Sequence, residues 1–328
     1  MKLAIAALTA FAIFGCSKSP PADQTRAIGG LKGYAMGEPV TYENATFVPV
    51  ISTKPEPDKV VDDTITLTEA KKNGWVEIIE LPGQEQVNLL KVRNNGPKPL
   101  LLLSGELLLG GKQDRIIAKD TIVPAGETKD VQVFCVEHGR WDGASERFDY
   151  GGTMVPDRAR KSAQYEDQEA VWEDVGRKNR SVSGTGRTSS SQSSSIRTFL
   201  DDNGLQKKLK SGVDFVSATL AQPNVVGVVF ILNGEIKTFE LFGTPSLFEK
   251  AHKPILESFL TEAAVAKSNK PVKALDPSKW LAFVEKYLTT PTEKREGYNT
   301  LDGDGYRGGE YNMSAGAKSA HSSFEPIK

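Results

Sequence analysis

Cysteine is almost missing from this chain, which carries two, Cys16 and Cys135, in 328 residues. If Cys16 is lipidated, no intramolecular disulfide is possible and the fold must rest on its apolar core. Histidine is nearly as scarce. His138, His252 and His321 do not fall at metal-ligand spacing with either cysteine, so no zinc pattern is present and no metal is expected. An excess of charge is lacking too. Lys plus Arg is 41 and Asp plus Glu is 42, a balance that argues against phosphate-backbone recognition, so no nucleic-acid partner is expected. Beyond the N-terminus no run approaches the roughly 18 consecutive apolar residues of a membrane span. Nor is a cofactor motif present: Gly184-Thr185-Gly186 has no Gly-Lys-Ser/Thr ending and no strand before it, so no cofactor is expected.

What is there begins with an address. Met1-Lys2 gives a short positive end, Leu3–Phe14 an apolar run too short to span, and Gly15-Cys16 follows at once. Residues 1–15 read as a signal peptide. The segment Ile13-Phe14-Gly15-Cys16 resembles a bacterial lipobox, although Phe14 is bulkier than usual. In that reading Cys16 is lipidated and 16–38, polar and Pro-containing, form a flexible tether. The alternatives are an ordinary cleaved signal or a hydrophobic start helix. The lipidated form predicts a membrane partner through Cys16 and a cell-envelope location. With Ser17 rather than Asp after the cysteine, that location is the periplasmic face of the outer membrane if the source has two membranes.

The body of the chain is expected to be α+β. Residues 39–160 form a β-rich half, a sandwich or open barrel. Strands are expected over Tyr42–Ser52, Trp75–Leu81, Gln86–Asn94, Pro99–Leu109, Arg115–Lys119 and Lys129–Glu137, with a short helix in Thr66–Gly74. Residues 161–328 form an α+β half, interrupted by the Ser-rich loop 181–195, whose composition cannot bury enough apolar surface to order itself. Asp142–Arg160 reads as polar and irregular, and Ser162–Arg180 as a helix. Val225–Leu232, Asn233-Gly234 and Glu235–Phe242 read as a hairpin with a type I′ turn. Amphipathic helices follow over Ser246–Lys267 and Ser278–Leu288, then a turn at Thr300–Gly305 and a last strand pair in Tyr306–Met313 and Ala317–Phe324. The two halves can equally form one domain.

Chemistry is expected in Leu100–Trp141, where charge stands among apolar runs. Glu106 lies between Leu100–Leu103 and Leu107–Leu109, and Glu137 closes Val131–Val136. A carboxylate taken out of water pairs, takes up a proton, or is kept for a task. These two are the candidate catalytic acid and base. Lys112, Gln113, Arg115, Arg140 and Trp141 are candidate ligand-binding residues: the arginines fork onto phosphate or carboxylate, and Trp141 stacks on a ring. The bland alternative is a hairpin turning at Gly110-Gly111 with solvated charge after it. Cys135 reads most simply as a small buried hydrophobe rather than a nucleophile.

Gly105-Glu106, Gly110, Lys112-Gln113, Arg115, Cys135-Val136-Glu137 and Gly139-Arg140-Trp141 together resemble an uncharacterised bacterial family, the ARG and Rhodanese-Phosphatase-superfamily-associated protein domain. Trp172, Gly227–Leu232 with Asn233-Gly234, Leu241-Phe242, His321 and Phe324 extend the likeness over most of 40–324. Asp114 departs from the pattern. The resemblance implies an association with ADP-ribosylglycohydrolases, rhodaneses and phosphatases, hence a hint of nucleotide or ADP-ribose metabolism.

Two functions fit these residues. One is a lipid-anchored envelope module that binds an unknown small-molecule or protein ligand, its charges forming a structural ion-pair network. The other is a hydrolase or transferase of nucleotide or ADP-ribose-like substrates, with Glu106 or Glu137 as acid or base and Lys112, Arg115 and Arg140 on phosphate groups.

Overall fold

A computed structural model describes residues 33–81, 88–137, 146–165, 167–183, 195–266, 276–289, 295–303, 305–314 and 319–327. Cys16, Arg140, Trp141 and most of the Ser-rich loop lie outside the described residues. The class is α+β, and of the two β arrangements expected for the first half the chain forms the barrel, which is closed. Its six strands run in the order Thr128–Cys135, Leu89–Asn94, Val76–Glu80, Arg147–Met154, Glu106–Gly110 and Arg115–Ile117, the last pairing back with the first. Closure leaves no bare edge. Ile78, Val92, Leu108, Ile117 and Val133 fill its interior.

The second sheet has eight antiparallel strands. From Tyr34–Met36 it passes through Ala45–Ser52, Val225–Leu232, Glu235–Phe242, Ser319–Pro326 and Tyr306–Asn312 to Gly297–Gly303, with Val40–Tyr42 also on Ala45–Ser52. The chain's first strands thus belong to the sheet that its last third builds. Helix Pro245–Val265, capped by Thr244 with Pro245 in its first turn, packs on one face, where Phe259 stacks on Phe230 at 4.4 Å. Helix Pro277–Thr289 covers the other face through Trp280, Val284 and Tyr287.

Local sequence explains most elements. Thr66 and Glu69 form a capping box that starts helix Leu67–Lys72. Asn233 and Gly234 both take positive φ, 53° and 81°, as a type I′ turn between Val225–Leu232 and Glu235–Phe242 requires.

Three readings need correction. The turn expected over Thr300–Gly305 lies mostly in a strand, since Gly297–Gly303 pairs with Tyr306–Asn312. Pro99–Leu109 is two strands, Leu100–Leu102 and Glu106–Gly110, because Gly105 takes φ +88° and turns the chain. Asp142–Arg160 is not irregular throughout. Arg147–Met154 is a barrel strand whose register shifts between Tyr150 and Met154, and two glycines there hide its alternation. Helix Asp157–Gln164 follows it, separate from helix Gln168–Ser183.

Candidate functional site

Among the described residues, one charged cluster lies between the barrel and the large sheet and another at the rim of the barrel. The inner one forms where helix Asp157–Gln164 crosses the strand pair Glu235–Phe242 and Ser319–Pro326. Antiparallel register sets Glu240 opposite Ser323, and Phe242 opposite His321. Arg160 reaches this pair from the helix and forks onto Glu240 at 2.8 and 2.9 Å. His321 meets Glu240 through Nε2 at 2.7 Å and Asp120 through Nδ1 at 2.5 Å. Two carboxylates on its two nitrogens require an imidazolium, since only that form donates from both.

All four side chains are fully buried. Burial alone would push the Glu240 carboxyl up, but Arg160 and His321 pull it well below its usual range. Burial opposes charge on His321 as well, and Asp120 and Glu240 overcome it and raise its pKa. Lys161 bonds the Ser323 hydroxyl at 2.5 Å, and Asp157 accepts from Thr238 at 2.7 Å. Three cations therefore face three carboxylates: Arg160, Lys161 and His321 against Asp120, Asp157 and Glu240. Burial lowers the Lys161 pKa and lifts Asp157 to about 6. Ser323 is no nucleophile. Its hydroxyl donates to Glu240 at 2.7 Å while Lys161 and Arg160 occupy its lone pairs, and it is fully buried.

Glu106 stands beside this cluster. It is 2% exposed, accepts from the Leu103 backbone at 2.9 Å, and burial pushes its carboxyl up to about 8. At neutral pH it is a protonated acid.

The rim cluster forms where Gly110 and Gly111 turn the chain from Glu106–Gly110 to Arg115–Ile117 at φ +130° and +55°. A side chain at Gly111 would come within 2.2 Å of the Phe148 ring, so glycine is required there. Beyond the turn Lys112 is exposed, whereas Gln113, Asp114 and Arg115 are buried. Asp114 forms a two-pronged ion pair with Arg197, and its backbone N–H donates to Glu137 at 3.3 Å. The position that departs from the family pattern thus has a structural use. Arg115 is 2% exposed and donates to the Gln113 carbonyl at 3.0 Å and the Gln113 side chain at 3.1 Å. Its Nε has no hydrogen-bond partner, and among the described residues it has no ion pair within 4.0 Å. Burial lowers its pKa. Cys135 lies opposite Arg115 on the neighbouring barrel strand, its thiol pushed up by burial and its backbone clamped by Gln168 through two 2.9 Å bonds. That environment makes it a poor nucleophile.

The structure brings Gln113, Arg115 and Glu137 into one cluster and does not bring Glu106 to it. In the register Glu106 is level with Ile117 and Glu137 with Gln113, four residues or roughly 13 Å apart along the strands. Arg160, Glu240, Asp120, His321 and Arg197 were not singled out as site residues from the sequence. Glu240 carries the signal that marked Glu106, a carboxylate between apolar residues of one strand, here Phe239 and Leu241. Among the described residues no group of three His, Cys, Asp or Glu side chains is placed to hold a metal ion.

A family model, that of the ARG and Rhodanese-Phosphatase-superfamily-associated Protein domain, matches residues 33–321. No curated protein matches the chain, and no solved structure does.

Proposed function

The chain belongs to the ARG and Rhodanese-Phosphatase-superfamily-associated Protein domain family, and we propose that this member is a ligand-binding module that holds an anionic group at Arg115. One observation carries the reading: a guanidinium buried to 2% exposure with an unpartnered Nε and no ion pair among the described residues. Glu80, Asp114 and Glu137 act on this guanidinium without pairing with it, so the cost of its burial is offset only in part, and an anion from a ligand in direct contact would offset more of it. Phosphate or carboxylate fits the planar fork. Lipidation of Cys16 would tether the module in the cell envelope, at the periplasmic face of the outer membrane in a two-membrane source. The lipobox-like segment supports this.

The test is thermal stability of the chain from residue 17 onward, alone and with inorganic phosphate, ADP-ribose or NAD. Ligands that bind the native state raise its melting temperature by mass action. The wild type should respond to at least one phosphate-bearing compound and Arg115→Met should not; equal responses, or none, would end the proposal. For the tether, Cys16→Ser should move the protein from the membrane fraction to the soluble one.

The hydrolase or transferase reading keeps one support, the Glu106 carboxyl held protonated up to about 8, in the range of a general acid. Its burial and its distance from Glu137 weigh against a shared acid–base site. Turnover of ADP-ribose or a nucleotide that disappears in Glu106→Gln would revive it.

A further inference from the structure

A cleft of about 830 Å³ opens on the outer side of helix Asp157–Gln164, well away in sequence from the rim cluster. That volume is in the range of small-ligand sites. Buried Lys161 and Asp157 line it, Leu232, Val265 and Ala266 give it apolar surface, and most of its remaining lining is charged. The charge is not evenly spread.

At one end Arg158, Arg177 and Lys178 gather around the carboxylates of Asp174 and Glu262. Lys178 meets Glu262 at 2.5 Å, Arg177 pairs with Asp174, and Arg158 reaches Asp174 only at 3.8 Å with 60% of its side chain exposed. Three cations face two carboxylates, so this end is positive. Burial also raises the Asp174 pKa and weakens its compensation. At the other end Arg307 pairs with Glu325 at 2.8 Å and lies over the Tyr165 ring at 3.9 Å. Asp167 adds a carboxylate there that has no ion pair among the described residues. Glu325 and Asp167 make this end more acidic than the first, even with Arg307 on Glu325 and Lys161 acting on Glu325 from the lining. On the wall between them Lys237 and Glu235 cancel each other at 2.7 Å.

The ends lie a fixed distance apart. Arg158 precedes Tyr165 by seven residues of one helix, and Asp167 precedes Arg177 by ten at the next, which gives separations of roughly 10 to 15 Å at 1.5 Å per residue. A polyanion would meet carboxylates along the lining, and an apolar ligand would leave the charges desolvated. A zwitterion with its charges that far apart satisfies both ends. An extended peptide advances about 3.3–3.6 Å per residue, so three or four residues fit the span.

We propose that this cleft binds a short zwitterionic peptide of three or four residues, its carboxylate at Arg158 and Arg177 and its ammonium at Asp167 and Glu325. The apolar surface then takes small side chains. The proposal is independent of the anion reading at Arg115.

Calorimetric titration of the full chain in detergent with tetra-alanine tests it. Free tetra-alanine should bind, and N-acetylation or C-terminal amidation should each weaken binding at least tenfold. Arg158→Gln should weaken it similarly while melting like the wild type, since that side chain is largely exposed. Inorganic phosphate should not displace the peptide. Capped peptides that bind as well as the free one, no binding by any of them, or displacement by phosphate would each overturn the proposal. Should Arg158→Gln fail to fold, the capped series on the wild type decides alone.

Discussion

The inner cluster and the rim cluster are both buried charge, yet they are built to opposite rules. Around Glu240 the charges in direct contact meet opposite ones, Arg160 by a two-pronged pair, His321 at 2.7 Å, and Asp120 beyond it at 2.5 Å, while Lys161 reaches the cluster through the Ser323 hydroxyl. At the rim the Asp114–Arg197 pair is complete while Arg115, between two strands, leans on amide oxygens alone. Saturation of this kind leaves a substrate nothing to bind and ties the barrel to the large sheet. Incomplete pairing leaves one group whose needs a ligand can meet.

Glu240→Gln tests the saturated side most severely. It leaves Arg160 and His321 facing a neutral amide in a dry interior, and stability should fall by about 4–5 kcal/mol, measured by urea unfolding at pH 7. A loss under about 1 kcal/mol would mean that the cluster does not join the two parts. The pH dependence has a definite sign. Glu240 and Asp120 have depressed folded pKa values, so their stabilisation is present above the ordinary carboxylate range and is lost as pH falls through the folded values. The deficit of Glu240→Gln should therefore shrink in strong acid.

Glu106 behaves in the reverse sense. Its folded pKa is raised, from 4.5 to about 8, so the native chain holds a proton that the unfolded chain releases. Its contribution is fully present below 4.5 and is lost as pH rises through about 8. Glutamine cannot titrate and keeps the acceptor for the Leu103 N–H. Between pH 5 and 8 the wild type should lose about 3 kcal/mol relative to Glu106→Gln, somewhat less than the full linkage because the site relaxes. Parallel unfolding curves for the two proteins over that range would refute the assignment.

A smaller effect is expected at Gly105, which takes φ +88° directly over the Arg160 stem, with a Cβ there only 2.7 Å from Arg160 Cγ. The stem cannot yield because its guanidinium is fixed on Glu240. Gly105→Ala should cost about 2 kcal/mol, from positive φ and from displacement of Arg160. If the alanine variant melts with the wild type, the inner cluster is looser than its bonds imply.

How much of this could be read from the sequence depended on how local the cause was. The hairpin Val225–Phe242 follows from two β-rich runs and Asn233-Gly234, and helix Leu67–Lys72 from Thr66 and Glu69. Glu106 was legible as buried charge because leucines flank it on both sides. The partners in the inner cluster were not. Arg160 and Glu240 are 80 residues apart and His321 a further 81, and only the sheet register and a crossing helix bring them together. Arg160 in particular sits in a polar stretch that looks solvated until the helix Asp157–Gln164 is seen to press it against the sheet. At the rim the residue types were legible and their pairing was not, since Asp114 takes Arg197 from a distant segment and leaves Arg115 without it.

The smallest stability change is predicted where the function is proposed. Arg115→Met removes a guanidinium with no ion pair among the described residues, so Glu80, Asp114 and Glu137 lose only attraction at longer range, and methionine fills a similar narrow volume with apolar atoms. The freed acceptors are the Gln113 and Asp114 carbonyls and the Gln113 side chain, which lose neutral-acceptor bonds only. These opposed terms should leave stability without ligand within about 1 kcal/mol of the wild type, or slightly above it. The melting-temperature gain that phosphate-bearing compounds give the wild type should vanish. Should Arg115→Met instead lose several kcal/mol with no ligand present, the guanidinium is compensated within the fold, and the contrast between the two clusters fails at its weaker end.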